Sequence, residues 1–137
     1  MFKRVRHFIP NKCRGVLFGL IATFLFQGCS GDSSIEKFLQ LNKCVGCNLS
    51  DQDFRGANLD QANLENSAFD GANFSGAVLT KSNLKGADLE DINLSEANLE
   101  GANLNGANLS GANLDDSDLA GANLSRANLF GVDLESA

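Results

Sequence analysis

From Leu49 to Leu134 an apolar residue returns at every fifth position without a break. The series is Leu49, Phe54, Leu59, Leu64, Phe69, Phe74, Leu79, Leu84, Leu89, Leu94, Leu99, Leu104, Leu109, Leu114, Leu119, Leu124, Leu129 and Leu134. No ordinary element buries such a series. On an α-helix, steps of five advance each residue by about 140° around the axis, so no single face collects them. On a β-strand five is odd, and successive members point to opposite sides. One solution is a chain that turns a corner every five residues and points the same position inward on every side. A small or apolar residue, usually alanine, stands two places before each large one, as at Ala57, Ala62, Ala72 and Ala102. Positions two apart on an extended segment face the same way, so both point inward. Asn or Asp lies between them, as in Asn58, Asn63, Asp88 and Asn103, and the two positions that follow are polar or glycine. Gly56, Gly71, Gly86, Gly101, Gly106, Gly111, Gly121 and Gly131 suit the corners. Units that repeat at a fixed period and bury their apolar faces only against one another form a solenoid.

The repeated A-N-L-x-x resembles the pentapeptide-repeat family, over about two-thirds of the chain. The resemblance implies an all-β solenoid, a right-handed quadrilateral β-helix with four pentapeptides per coil. The eighteen repeats would then make about 4.5 coils, a rod about 22 Å long at the usual spacing between strands. On that geometry residues twenty apart stack. Phe54, Phe74, Leu94, Leu114 and Leu134 form one interior column, and Leu49, Phe69, Leu89, Leu109 and Leu129 another. Ile92 and Val132 in place of Ala, and Ala68 and Val78 in place of Asn, read as local bulging or an exposed apolar spot.

The expected organisation is a signal segment over 1–28, a tether with a short helix and a cysteine pair over 29–46, and the solenoid over 47–137. Lys3, Arg4, Arg6, Lys12 and Arg14 crowd the first residues, and no acid appears before Asp32. The uncharged run Gly15–Phe26 follows, too short for a bilayer that asks for about 20 residues. A basic start with a short apolar core is the layout of a bacterial export signal. Leu25-Phe26-Gln27-Gly28-Cys29 resembles a lipobox. That resemblance implies cleavage before Cys29 and a lipid on its side chain, anchoring the chain to a membrane. Ser30, which is not acidic, points to the outer membrane. The alternatives are a signal cleaved elsewhere, a short uncleaved anchor, or a cytosolic chain. Ser33-x-x-Glu36 reads as a capping box, and Ile35, Phe38 and Leu39 give one apolar face to a helix reaching about Asn42. That helix is expected to cap the open end of the solenoid.

Cys44-Val45-Gly46-Cys47 admits three readings. Zinc wants four ligands, and the chain has no histidine past His7 and no second pair of this kind. A thioredoxin-like site wants the motif at a helix N-terminus beside a βαβ unit. The remaining reading is a Cys44–Cys47 disulfide, formed in an oxidising compartment and bracing the first coil. Cys47 falls in the register of the inward small residue. Similar cysteine pairs precede the first repeat in exported members of the family that the sequence resembles.

Past Cys29, six basic residues face seventeen acids, a balance of −11. Such a body does not bind nucleic acid backbones. Catalysis needs a nucleophile with a base or a tuned pair of acids, and this region offers neither, so no enzyme activity, cofactor, metal or small-molecule substrate is expected. Asp115, Asp116 and Asp118 are at most a weak cation cluster. The expected function is a membrane-tethered structural or protein-interaction module facing the periplasm, with an envelope protein as partner. The alternative is an acidic DNA mimic that binds a type II topoisomerase, as the gyrase-protecting members do. The export signal, the small number of coils and the short sequence after Leu134 oppose it.

Overall fold

The computed structural model describes residues 43–137. The signal segment 1–28, the lipidation site Cys29 and the helix expected before Asn42 lie outside the described residues. Within them the chain winds as a four-sided β-helix. Parallel bridges join residues twenty apart all along it, from Lys43↔Asn63 through Ala68↔Asp88 to Asn108↔Asn128. These bridges are isolated and do not merge into longer strands. The reason is the corner every five residues, which leaves one residue per side able to pair with both neighbouring coils. Asn73 is typical: its amide donates to Gln52 O at 2.9 Å, and its carbonyl accepts from Phe54 N at 2.7 Å.

Each corner repeats one conformation. Every fifth residue from Gly46 to Gly131 has a positive φ, between 53° and 76°. From Ala57 onward the residue after it donates its amide back across the corner, as Ala57 N does to Phe54 O at 2.9 Å. A positive φ at the third turn residue with that hydrogen bond is the pattern of a type II turn. Glycine suits the position, but Asp51, Gln61, Asn66, Lys81, Asp91, Glu96, Asp116 and Arg126 also adopt it. None of these is β-branched, the class for which such a φ is most costly. At Gly111 the Asp91 carboxylate from the previous coil folds over the space that a Cβ would take, so a side chain there would have to displace it.

The core is the bore of the helix. Leu49 through Leu114 in the five-residue series are all buried, and so are the alanines that alternate with them. Phe54, Phe69 and Phe74 fill the first coils. The rings of Phe54 and Phe74, twenty residues apart, lie 4.6 Å centroid to centroid, close to the spacing of paired strands. Phe69 meets both edge-on. Each such residue contributes about 1.5–3 kcal/mol by leaving water, set against the entropy of ordering the chain. Ile92 fits the alanine position fully buried, whereas Val78 is 37% exposed. From Leu119 to Val132 the inward residues are only partly buried, and Leu134 and Phe130 are exposed.

The register reaches back past residue 47, where the sequence reading opened it. Lys43 already bridges Asn63, and Cys44 occupies the place of the large apolar residue at 2% exposure. The periodicity of Leu and Phe missed this because a cysteine stands in for the leucine.

Leu104 sits at 0% exposure in the middle of the bore. We predict that Leu104→Lys, which puts a charge there, destabilises the domain by at least about 3 kcal/mol. Circular dichroism and melting would read it, and a wild-type β signal and midpoint would refute the inward assignment.

Candidate functional site

The outward surface is built from the positions that do not enter the bore. The Asn or Asp before each large residue is not simply a polar group facing water. Its side-chain oxygen accepts the amide two residues on, as Asn73 Oδ1 does from Ser75 N at 3.0 Å and Asn113 Oδ1 from Asp115 N at 2.9 Å. This local bond is the familiar Asx geometry, and it accounts for the preference for Asn and Asp. Ala68 and Val78 lack the oxygen and cannot make it. Along one face the amides also stack from coil to coil. Asn83 Nδ2 donates to Asn63 Oδ1 at 3.3 Å, and Asn103 Nδ2 to Asn83 Oδ1 at 3.2 Å. On the next face Asn108 Nδ2 donates to Asp88 Oδ1 at 3.1 Å, and Asn128 Nδ2 to Asn108 Oδ1 at 3.0 Å. Much of the hydrogen-bonding capacity of these residues is therefore spent inside the molecule. The groups left to meet a partner are mainly the corner residues.

Charge is unevenly spread over those corners. Asp51, Asp70, Asp88, Glu90 and Asp91 line one open recess together with Gly71. Ser50 Oγ donates to Asp70 Oδ1 and to Asn48 Oδ1 at its edge. Positive charge is sparse and partly engaged. Arg55 pairs with Asp53 at 2.6 Å on the surface, and Lys85 Nζ lies 3.5 Å from Glu65. The hydrogen bonds that Arg55 donates to Asp53, together with the Asp53 charge, raise the Arg55 pKa above its ordinary value.

At the start of the solenoid the structure joins Cys44 and Cys47 in a disulfide, with the Cα atoms 5.5 Å apart. Cys44 takes the large inward position and Cys47 the small one of the next side. The corner between them, like the Leu49–Gln52 corner after it, is not closed by a backbone bond of its own. Every turn from Phe54–Ala57 to Leu134–Ala137 is closed by a backbone bond from its fourth residue to its first. At the cysteine turn the Cys47 amide instead donates to Ser67 Oγ at 3.2 Å, and that hydroxyl donates to the Cys44 carbonyl. Ser67 lies one coil later at an alanine position, 1% exposed. Ser82 and Ser117 occupy equivalent positions elsewhere in the bore, yet their buried hydroxyls have no hydrogen-bond partner.

The family description Pentapeptide repeats matches residues 43–71, 57–95 and 92–135, with 8 copies. The chain belongs to the pentapeptide-repeat family. With that membership comes the right-handed quadrilateral β-helix. Among solved structures, alr5209, a pentapeptide repeat protein from Nostoc PCC 7120, is 34% identical with a TM-score of 0.60, over 76% of this chain and 80% of that one. Rfr23 from the cyanobacterium Cyanothece 51142 is 29% identical with a TM-score of 0.45, over 74% of this chain and 92% of that one. A pentapeptide repeat protein from the Arabidopsis thaliana thylakoid lumen is 28% identical with a TM-score of 0.43, over 72% of this chain and 73% of that one. No curated protein matches the chain.

In this pentapeptide-repeat chain the acids singled out from the sequence are structural as much as they are exposed. Asp118 Oδ1 accepts from Ala120 N at 2.9 Å, and Asp116 is a corner residue at φ 56°. No three His, Cys, Asp or Glu side chains among the described residues are placed to hold a metal ion. Sequence reasoning missed Ser67, which the repeat pattern marks only as a small inward residue. The available signal was its place twenty residues after Cys47, visible once the number of sides is known.

Two of the three buried serines give a paired prediction. Ser82→Ala removes an unpartnered hydroxyl and is expected to stabilise the domain by about 1 kcal/mol. Ser67→Ala removes two hydrogen bonds and is expected to destabilise it by about 1–2 kcal/mol. Equal melting shifts of the same sign would contradict the assignment. In protein purified without reductant, Cys44 and Cys47 are expected to resist alkylation until reductant is added. Mass spectrometry finding two free thiols beforehand would remove the disulfide.

Proposed function

We propose that this pentapeptide-repeat protein is a non-enzymatic interaction module of the bacterial envelope, held at a membrane by a lipid on Cys29 and facing the periplasm. The observation that carries the reading is the basic stretch and apolar run ending in Leu25-Phe26-Gln27-Gly28-Cys29, directly ahead of a rigid solenoid. Ser30 favours the outer membrane. Two or more acyl chains on one cysteine hold a protein stably at a bilayer, where a single chain binds only marginally. A stable anchor suits a body whose work is to present a surface. That surface is passive: a packed bore holds the corners in place, and acids such as Asp51, Asp70, Glu90 and Asp91 meet the partner, which is an envelope protein. The order of the side chains along the rod then supplies specificity, since the backbone is the same at every corner.

The test is labelling with radioactive palmitate, plus fractionation, of the wild type and Cys29→Ser. Label and membrane retention that both depend on Cys29 are expected. An unlabelled, full-length product in the cytosol would overturn the anchor. Inhibition of a type II topoisomerase by the acidic solenoid would then be the next assay.

A further inference from the structure

We propose that Asn105 is a deamidation site, and that the bonds of its corner to Ser125 keep it latent until the following coil opens. Asn105 is followed by Gly106, whereas every other asparagine in the chain is followed by Leu, Phe, Ser or Lys. Deamidation begins when the backbone nitrogen of the next residue attacks the side-chain amide carbon, and a side chain on that residue obstructs the approach. Glycine has none, and its backbone rotates freely into the conformation the attack needs. The repeat places Leu or Phe after the asparagines that bond the amide two residues on, so the susceptible pair arises at a corner.

In the folded corner both reacting groups are held. Gly106 N donates to Ser125 O at 2.9 Å, and Asn105 Nδ2 donates to the same carbonyl at 3.0 Å. Ala107 N closes the turn onto Leu104 O at 3.0 Å, and Asn105 N donates to Asn103 Oδ1 at 3.2 Å. The attacking nitrogen and the leaving nitrogen are therefore both tied to one acceptor on the following coil. A solenoid coil can open locally without unfolding the whole domain, and opening this one releases both groups together. Gly106 N then gives up its proton and bonds to Cγ of Asn105, the bond from Cγ to Nδ2 breaks, and ammonia leaves. Water opens the cyclic imide at either carbonyl and leaves an aspartate or an isoaspartate at position 105.

Neither product restores the corner. A carboxylate has no hydrogen to donate to Ser125 O, so the side-chain bond to the following coil is lost. Isoaspartate also adds one carbon to the main chain between Leu104 and Leu109, whose amides donate to Asn123 O at 2.9 Å and Asn128 O at 2.8 Å. The five-residue period is then broken where two sides have to stay in register with the next coil. Because ammonia is lost the change is one-way, and molecules that have opened carry a mark that the others lack. None of this depends on a membrane anchor, so the test stands apart from the labelling experiment.

The experiment incubates the full-length chain at neutral pH, folded and in guanidinium chloride above its unfolding midpoint. Mass spectrometry follows each asparagine-bearing peptide, and enzymatic methylation reports isoaspartate. In the unfolded chain the peptide carrying Asn105 is expected to be modified first, and in the folded chain at least fivefold more slowly. Leu124 is partly buried in the coil that carries Ser125, and Leu124→Ala is expected to raise the folded rate at least threefold. The same rise is expected for the wild type in guanidinium chloride below its midpoint. Asn105→Gln is expected to remove the isoaspartate signal. Earlier modification of another peptide in the unfolded chain would overturn the site, as would isoaspartate that persists in Asn105→Gln. A folded rate within fivefold of the unfolded one would overturn the latency, and so would a rise of less than threefold in Leu124→Ala or below the midpoint.

Discussion

Every part of this molecule depends on the pairing of one coil with the next at a spacing of twenty residues. Each side of the square bonds the coils on either side of it: Asn73 exchanges both its backbone bonds with Gln52 and Phe54 of the coil before, while its neighbours Ala72 and Phe74 bond Asn93 of the coil after. That pairing sets coils at strand distance, which in turn makes the bore narrow. A narrow bore admits one large and one small residue per side, so the alternation of Leu or Phe with Ala is a packing requirement. The corners then have to turn within two residues, and a positive φ at the second of these does it.

The same constraint decides what faces outward. Between the two inward residues of most sides, the side-chain oxygen of an Asn or Asp accepts from the amide two residues on, and the Nδ2 of several asparagines reaches the neighbouring coil. These residues look like a presentation surface in the sequence but work largely as internal fasteners. Variation is left to the corners, where Gly, Asp, Lys, Glu and Arg all occur at one backbone conformation. A surface of this kind can be recoded without disturbing the core, which is why a fold shared across a family leaves function open.

The beginning of the solenoid is the exception that the rest of the design makes visible. With a cysteine in place of leucine and another in place of alanine, the first corner exchanges a backbone hydrogen bond for a covalent bond and a serine hydroxyl. The exchange is local. Ser82 and Ser117 show that a serine in the bore is otherwise an unsatisfied group, so the position of Ser67 beneath the cysteine turn is what makes its hydroxyl useful.

From the five-residue return of Leu and Phe alone, the chain is a solenoid, its inward and outward positions are assigned, and Leu104 is placed in the core. Glycines such as Gly111 mark corners in the sequence. They do not show that the Asp91 carboxylate lies over that glycine. The entry of Cys44 into the bore, the capping role of the asparagines and the bond from Ser67 to the cysteine turn were likewise settled only by the tertiary structure. The division has one physical cause. The period is local chemistry repeated within five residues, whereas contacts between coils depend on how many corners close a turn. That number comes from the angle of each corner and the pairing it permits, and neither is written in the period.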